Sequence, residues 1–567
     1  MSRAALLDVA PAARKSPLML RADTAQGARD LELFSSIRGR GALSLFAILL
    51  VTLLMRAPGF DRPLLGHFGT KSAVYGMIAR NLAEGRAGFF EPTLDLLKGG
   101  QRSLHMLELP LPAYFVGGCW RLFGGSLDAW GRGFSIAWSI AGVALMYSFM
   151  RRRHGEVAAI GSSAALAMSP VGIIFGQSFQ LESALPALSL GALVALDRYL
   201  EAGRLRWLAV ATLCAAMLFL TKIFMVLLLV PLAWLVWERR PSPSRSLGLL
   251  AVGVFSVVPA ALWYGYAYRA AQGDFAFPVE RLYYSVHDSA AVHGFPHPLL
   301  STGAFYLRLT KDLLGPVLTP VGCLLFAWGV CRGRDRLCVA WLAGVALLVL
   351  ALPRKFHEMS YYWVGMLPVF CAFAGLGVAK LCAERSTRPG VRPILFAGSV
   401  LWLALSFKLA YVPAFVTPAE DISVMAAAEK VRLYSPPESR IVTVHGTSLS
   451  LLYHCDRPGW VWEIRPADPA LNVPTIARQL DAYRNQGAEW LVIADGWLLA
   501  SPVWQEGTSS LEHVSSGPGF AVYRMSPAPC CLPELAVKLG GRRWGLAPLA
   551  LAGQVSREST QCPSPEW

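Results

Sequence analysis

Hydrophobic and polar positions alternate along this chain on the scale of a bilayer. Between Ala42 and Val412, eleven apolar runs are each long enough, or nearly so, to cross a membrane. They fall at about 42–57, 133–150, 156–174, 183–198, 206–220, 223–237, 246–267, 313–331, 337–353, 361–380 and 394–413. A hydrocarbon core of ~30 Å needs roughly 20 apolar residues per helix, and shorter runs tilt or pair. The pattern predicts an all-α polytopic membrane protein of about eleven transmembrane helices.

Outside these runs the pattern changes. Residues 58–132 are amphipathic: Ala73, Val74, Met77, Ile78 and Leu82 recur at helical spacing, with Lys71, Arg80 and Glu84 between them. This predicts a helix lying in the membrane interface, and Leu109–Leu122 predicts a second. After the last run, residues 414–527 mix strand-like stretches (Arg440–Val444, Trp490–Ala494, Gly519–Arg524) with helical ones (Asp421–Leu433, Thr475–Gln486). They predict a small C-terminal external α/β domain. Residues 528–567 show no periodicity and read as a disordered tail.

Charge sets the orientation. The chain is 54% hydrophobic and only 16% charged, with a net charge of +15. Basic clusters fall in residues 1–41, at Arg151–Arg153, at Arg204 and Arg206, at Arg239, Arg240 and Arg245, at Arg332–Arg336, and at Lys380–Arg392. Every second connection is basic, which places the N-terminal segment 1–41 in the cytoplasm and residues 414–527 outside an inner (plasma) membrane. The positive charge is thereby a topology signal and calls for no nucleic-acid partner. Most cysteines lie within apolar runs, at no metal-ligand spacing.

Ionisable residues at or inside membrane runs are expensive to keep and are candidates for function. Glu182 lies in GQSFQLESALP, read as the external mouth of a span, with Gln177 and Gln180 a turn away. Lys222 splits a long apolar run in TKIF, where the plain alternative is an ordinary turn between helices. Glu108, in HMLELPLPAYF, suits a base, a metal ligand or a helix-start charge. Arg80 and Asn81 are polar on an otherwise apolar helix, and a guanidinium there suits a phosphate. Arg354, Lys355 and His357, followed by Tyr361 and Tyr362, place cations on the side where the charge rule disfavours them. That suits an anionic lipid head group, although tyrosines also belt membrane interfaces.

The order of MIARNLAEG, ELPLPAYF, SPVGIIFGQSFQLES, TKIF and HEMSYYWVGMLP resembles the membrane glycosyltransferases of the GT-C type that use a polyprenyl-phosphate sugar donor. This superfamily includes the protein O-mannosyltransferases and the lipid A aminoarabinose transferases. The resemblance covers about residues 42–525. It implies transfer of a sugar from a polyprenyl-phosphate-linked donor to a lipid, glycan or protein acceptor outside the membrane, with an acid of the first external loop as base. The chain departs from that pattern at Gly69, Thr70 and Lys71, where an acid is expected. Glu108 and Glu182 are then the candidate catalytic carboxylates. Lys222, Arg354, Lys355, His357 and Arg80 are the candidates for the donor phosphate, and Asn81, Gln177, Tyr361 and Tyr362 for substrate contacts. No cofactor is certain, and a divalent metal is a further candidate for carrying phosphate charge. A non-catalytic membrane scaffold and a lipid transporter or flippase are the competing readings. A transporter would bury charge in mid-span and repeat itself between halves, which this sequence does not do.

Overall fold

A computed structural model describes residues 41–277, 297–333, 335–384, 391–465 and 471–525. Most of the N-terminal segment and all of the tail expected at 528–567 lie outside the described residues. The described residues form one unit by their internal contacts.

The apolar runs become helices, but fewer of them are single uninterrupted spans than eleven. Among the described residues, four helices are long and apolar enough to cross a membrane, and up to six if each of two sharply bent pairs is one span. Gly41–Leu54, Leu205–Thr221 and Arg336–Ala351 are apolar but shorter. The reason is local. Two expected runs, 133–150 and 156–174, merge into Leu127–Met168, broken where Gly155 adopts φ 80°, a conformation open to glycine at no steric cost. The run at 183–198 belongs to a bent pair, Pro170–Gln177 and Leu181–Ala202, which meet at 117°.

The sheet is not built from the C-terminal region alone. Seven strands run in the order β2-β1-β4-β3-β5-β7-β6. Strands β3 (Ile441–Val444), β4 (Gly459–Val461), β5 (Trp490–Ile493), β6 (Glu512–Gly517) and β7 (Phe520–Arg524) come from after the last membrane helix. Strands β1 (Thr93–Lys98) and β2 (Gln101–Leu104) come from the first loop, and β1 lies parallel to β4 with Leu96 opposite Gly459. β3 pairs in parallel with both β4 and β5.

Period-two alternation places the side chains. Ile441, Trp490 and Val492 pack on one face, with Tyr75, Ile78 and Leu452, while Val442, Val444, Leu491 and Ile493 pack on the other, with Ile476, Leu480 and Trp504. β3 is buried along its whole length, as a central parallel strand covered on both faces must be.

The helix Gly69–Ala83, expected from its amphipathic spacing, forms and is covered by protein. All but three of its residues are buried, because it is packed between the helices Leu111–Phe123 and Ser450–Cys455. Its amphipathic spacing reflects two neighbours, one from each part of the fold.

A Cβ on Gly459 would meet the Ile441 carbonyl oxygen at 1.9 Å. Gly459→Ala should therefore force β4 off β3 and destabilise the protein by roughly 1–3 kcal/mol, as overpacking does. Thermal unfolding in detergent, followed by tryptophan fluorescence, checks this; an unchanged melting temperature would contradict the strand pairing.

Candidate functional site

Three breaks in apolar helices converge on one place. After Pro170–Gln177 the chain runs extended to Gln180, then makes the 3-10 turn Leu181–Ala184 that carries Glu182. Leu205–Thr221 ends at Lys222, whose backbone is extended (φ −150°, ψ 109°) before the 3-10 helix Ile223–Leu228. Met359 is likewise extended before the 3-10 helix Ser360–Met366, which carries Tyr361 and Tyr362. Irregular backbone at membrane depth is tolerated where it is buried in protein or lines a cavity. From the first loop, the helix Gly69–Ala83 adds Lys71 and Tyr75, one turn apart. Glu108 comes from the segment just before Leu111–Phe123.

Four charged groups meet there. The Lys222 Nζ donates to Glu108 Oε1 at 2.8 Å and sits 3.2 Å from Glu182 Oε1. The Lys71 Nζ donates to that same Glu182 oxygen and lies 3.6 Å over the Tyr361 ring. The Tyr75 hydroxyl donates to Glu108 Oε1. Two ammonium groups thus offset two carboxylates. Glu182 is fully buried rather than at a solvated rim, and its Oε2 has no hydrogen-bond partner. Burial alone would raise the Glu108 carboxyl, but Lys222, Lys71 and His105 hold it well below the usual range.

A cavity of about 800 Å³ opens beside this cluster. Lys71, Tyr75, Glu108, Lys222, Lys355, Tyr361 and Tyr362 line it, with apolar walls from Phe68, Leu96, Leu97, Ile223 and Phe224. Trp460 and Tyr483 from the sheet part also reach it. Glu182 stands behind the two lysines rather than in the cavity wall.

The other candidates are placed elsewhere. Arg80 is buried between Asp95 (2.7 Å) and Asp456 (2.9 Å) and donates to the Tyr453 carbonyl at 3.1 Å. It clamps the first loop to the C-terminal part. Burial works to raise Asp95, yet Arg80 beside it more than offsets this and holds the carboxyl low. Asn81 donates to the Thr93 carbonyl and accepts from Arg86 Nε, both at 3.0 Å. Gln177 donates to the Ala414 carbonyl and accepts from Arg132 at 3.3 Å. Arg354 bonds Glu358 at 2.8 Å, and His357 packs near the Phe305 ring. None of these five side chains lines the cavity. Conversely, Lys71, Tyr75 and His105 do line it and were not among the site residues read from the sequence. The lysine at position 71, where an acid is expected, is the one signal in the sequence, and it reads there as the loss of an acid rather than the gain of a cation.

Among the described residues, no group of three or more His, Cys, Asp or Glu side chains is arranged to hold a metal ion. A second polar cluster does exist. His445, just past β3, directs Nε2 to Asp421 Oδ1 at 2.8 Å and Nδ1 to the Ala494 carbonyl at 3.0 Å, with Asp495 Oδ1 at 3.7 Å. Both ring nitrogens therefore face acceptors. Burial opposes protonation, but Asp421 and Asp495 outweigh it and raise His445 to about 9. Asp421 also accepts from the Gly66 amide at 2.8 Å, and Asp495 from the Gly446 amide at 2.8 Å.

Comparison with known proteins bears on the fold. The family model described as dolichyl-phosphate-mannose-protein mannosyltransferase matches residues 108–264, the stretch that contains Glu108, Glu182 and Lys222. The fold is that of ArnT from Cupriavidus metallidurans. Its apo structure superposes with a TM-score of 0.60 at 15% identity, covering 87% of this chain and 98% of that one. The same protein bound to undecaprenyl phosphate gives a TM-score of 0.57 at 15% identity, over 86% and 98% of the two chains. The Archaeoglobus fulgidus oligosaccharyltransferase gives 0.48 at 12% identity, over 85% and 72%. No curated protein sequence matches the chain. The resemblance to membrane glycosyltransferases of the GT-C type thus holds for the fold, and the chain is an integral membrane protein of that architecture.

Two outcomes follow from the charge clusters. Lys222→Met removes the cation shared by two buried carboxylates and should destabilise the protein by about 3–5 kcal/mol. Adding Glu182→Gln should recover part of that loss, because the two residues are coupled; thermal unfolding of the single and double variants gives the coupling directly. For His445, the folded value near 9 lies above the ordinary 6.5. Its contribution is complete below the lower value and is lost as pH rises through the upper one. The melting temperature should fall across that window, and His445→Asn should flatten the fall.

Proposed function

We propose that this protein transfers a sugar from a polyprenyl-phosphate donor to a hydroxyl of an envelope lipid, glycan or protein at the outer face of the membrane. The observation that carries the reading is the buried lysine–glutamate cluster opening onto an apolar-walled cavity. The walls suit a polyprenyl chain and the cations suit its phosphate. The undecaprenyl phosphate bound by an ArnT of the same fold supports this. So does the basic pattern of alternate connections, which places this end of the helices outside.

The chemistry follows from the charges. The acceptor hydroxyl attacks the anomeric carbon, and the carbon–oxygen bond to phosphate breaks. The hydroxyl proton passes to Glu108, the carboxylate that faces the cavity. The charge left on polyprenyl phosphate is stabilised by Lys222, Lys71 and Lys355. Before the donor arrives, Lys222 and Lys71 keep Glu108 weakly basic. A phosphate that draws these lysines to itself relieves that suppression and readies the base as the substrate binds. Glu182, behind the lysines, positions them. Tyr361 and Tyr362 stack at 4.9 Å and offer an aromatic face to the sugar.

Lys71 itself favours a second reading. A cation stands where the family pattern expects an acid, and both nearby carboxylates are neutralised, which suits a protein that binds the lipid without turning it over. Release of undecaprenyl phosphate from an undecaprenyl-phosphate sugar by the purified protein separates the two readings. Under the catalytic reading, Glu108→Gln should lower kcat by about 100-fold or more. Lys71→Met should weaken undecaprenyl phosphate binding by roughly tenfold to a hundredfold, the loss of one charge-assisted hydrogen bond. Tight binding with no release in the parent protein would leave the scaffold reading.

A further inference from the structure

A second pocket, of about 540 Å³, adjoins the donor cavity: Phe68, Thr70 and Thr447 line both. Its position follows from the strand order. β3 and β5 are parallel neighbours, and the chain leaves β3 for β4 on one side but leaves β5 for β6, at the sheet edge, on the other. A crevice outside the carboxyl ends of two such strands is where open α/β sheets hold ligands. Here it contains His445 at the end of β3 and Asp495 just past β5.

The linings of the two cavities differ in kind. The donor cavity is walled by phenylalanine, leucine and isoleucine. The second pocket presents Ser448, Ser450, Glu420, Asp421, Asp495 and His445. Thr70 donates to Ser448 Oγ at 3.0 Å and Ser448 donates to Ser450 Oγ at 3.0 Å, so a row of hydroxyls runs from the shared wall into the pocket. Thr70 precedes Lys71 in the chain. One turn of backbone thus presents a hydroxyl to the second pocket and an ammonium to the donor cluster.

We propose that this pocket is the acceptor site and that it takes a hydroxyl-rich carbohydrate head without negative charge. The inference rests on the donor reading above and adds the acceptor's chemical class. Polyol recognition needs hydroxyl donors and carboxylate acceptors, which the pocket supplies, and its three carboxylates outnumber its two histidines, His445 and His67, of which burial keeps His67 toward the neutral form; the balance repels phosphate or carboxylate groups. The pocket's apolar lining, from Phe68, Val412, Pro413, Val416 and Pro418, is smaller than the donor cavity's. An acceptor hydroxyl entering past Thr70 and Thr447 arrives at Lys71 and Glu108, where the anomeric carbon of the donor would be held.

The full chain in nanodiscs, loaded with undecaprenyl phosphate, tests this by photolabelling with a diazirine-bearing methyl glucoside. Label should fall on the segments 66–70, 416–421 and 445–450. A dodecyl-chain version of the probe distinguishes a lipid-borne sugar from a free one, and labelling of these segments by either upholds the site. Val416→Trp, which fills the pocket from an exposed lining position, should cut the labelling by about tenfold. Glu420→Gln should reduce it less. Undecaprenyl phosphate binding, measured by native mass spectrometry, should not change in either variant. Lipid binding without labelling of these segments, or labelling indifferent to Val416→Trp, overturns the acceptor site alone. Labelling without lipid binding overturns the donor reading instead.

Discussion

Two lysines and two glutamates share a site from which water is largely excluded, and the rest of the fold is arranged around keeping them paired. An unpaired ion there would cost several kcal/mol, whereas the four together carry no net charge. Lys222 is central because it touches both carboxylates. The four groups come from four separate segments, so their pairing sets the relative positions of the first loop and the bundle. A phosphate that joins this cluster competes with the two carboxylates for the ammonium groups. That competition is the physical link between binding a phosphate and freeing a base.

The breaks in the helices follow from the same constraint. A continuous helix satisfies its own backbone and presents side chains radially, whereas a break lets a side chain and the backbone beside it turn toward a cavity. Interrupting it with an extended residue and a 3-10 turn redirects Glu182, Lys222 and Tyr361 toward a common point. Proline in the first turn of the helices that resume, as at Pro186, suits a restart, since its missing amide would be unpaired there in any case.

The first loop ties the membrane part to the sheet part. Its helix Gly69–Ala83 carries Lys71 into the donor cluster, and its strands β1 and β2 extend the sheet beyond β4. Arg80, held by Asp95 from the loop and Asp456 from the C-terminal part, locks this arrangement. The cavity therefore has walls from the bundle, the loop and the sheet, and none of the three encloses it alone.

Sequence by itself determined the membrane character and the strand-forming runs at 440–444, 490–494 and 519–524, and it singled out Glu108, Glu182 and Lys222, which the fold brings together. These are local properties: apolar length, period-two alternation, and a charge that stands out in an apolar run. Tertiary structure decided which charges meet. Arg80, Asn81 and Gln177 look as functional in the sequence as Glu182 does, yet each is spent on a neighbour that is distant in the chain or on its backbone. Lys71 looked like the loss of an acid and is instead a member of the cluster. Strands β1 and β2 form a local hairpin across Gly99 and Gly100, but the partner that brings β1 into the C-terminal sheet is β4, more than 300 residues away. Pairing across such distances depends on packing, which no local window of residues contains.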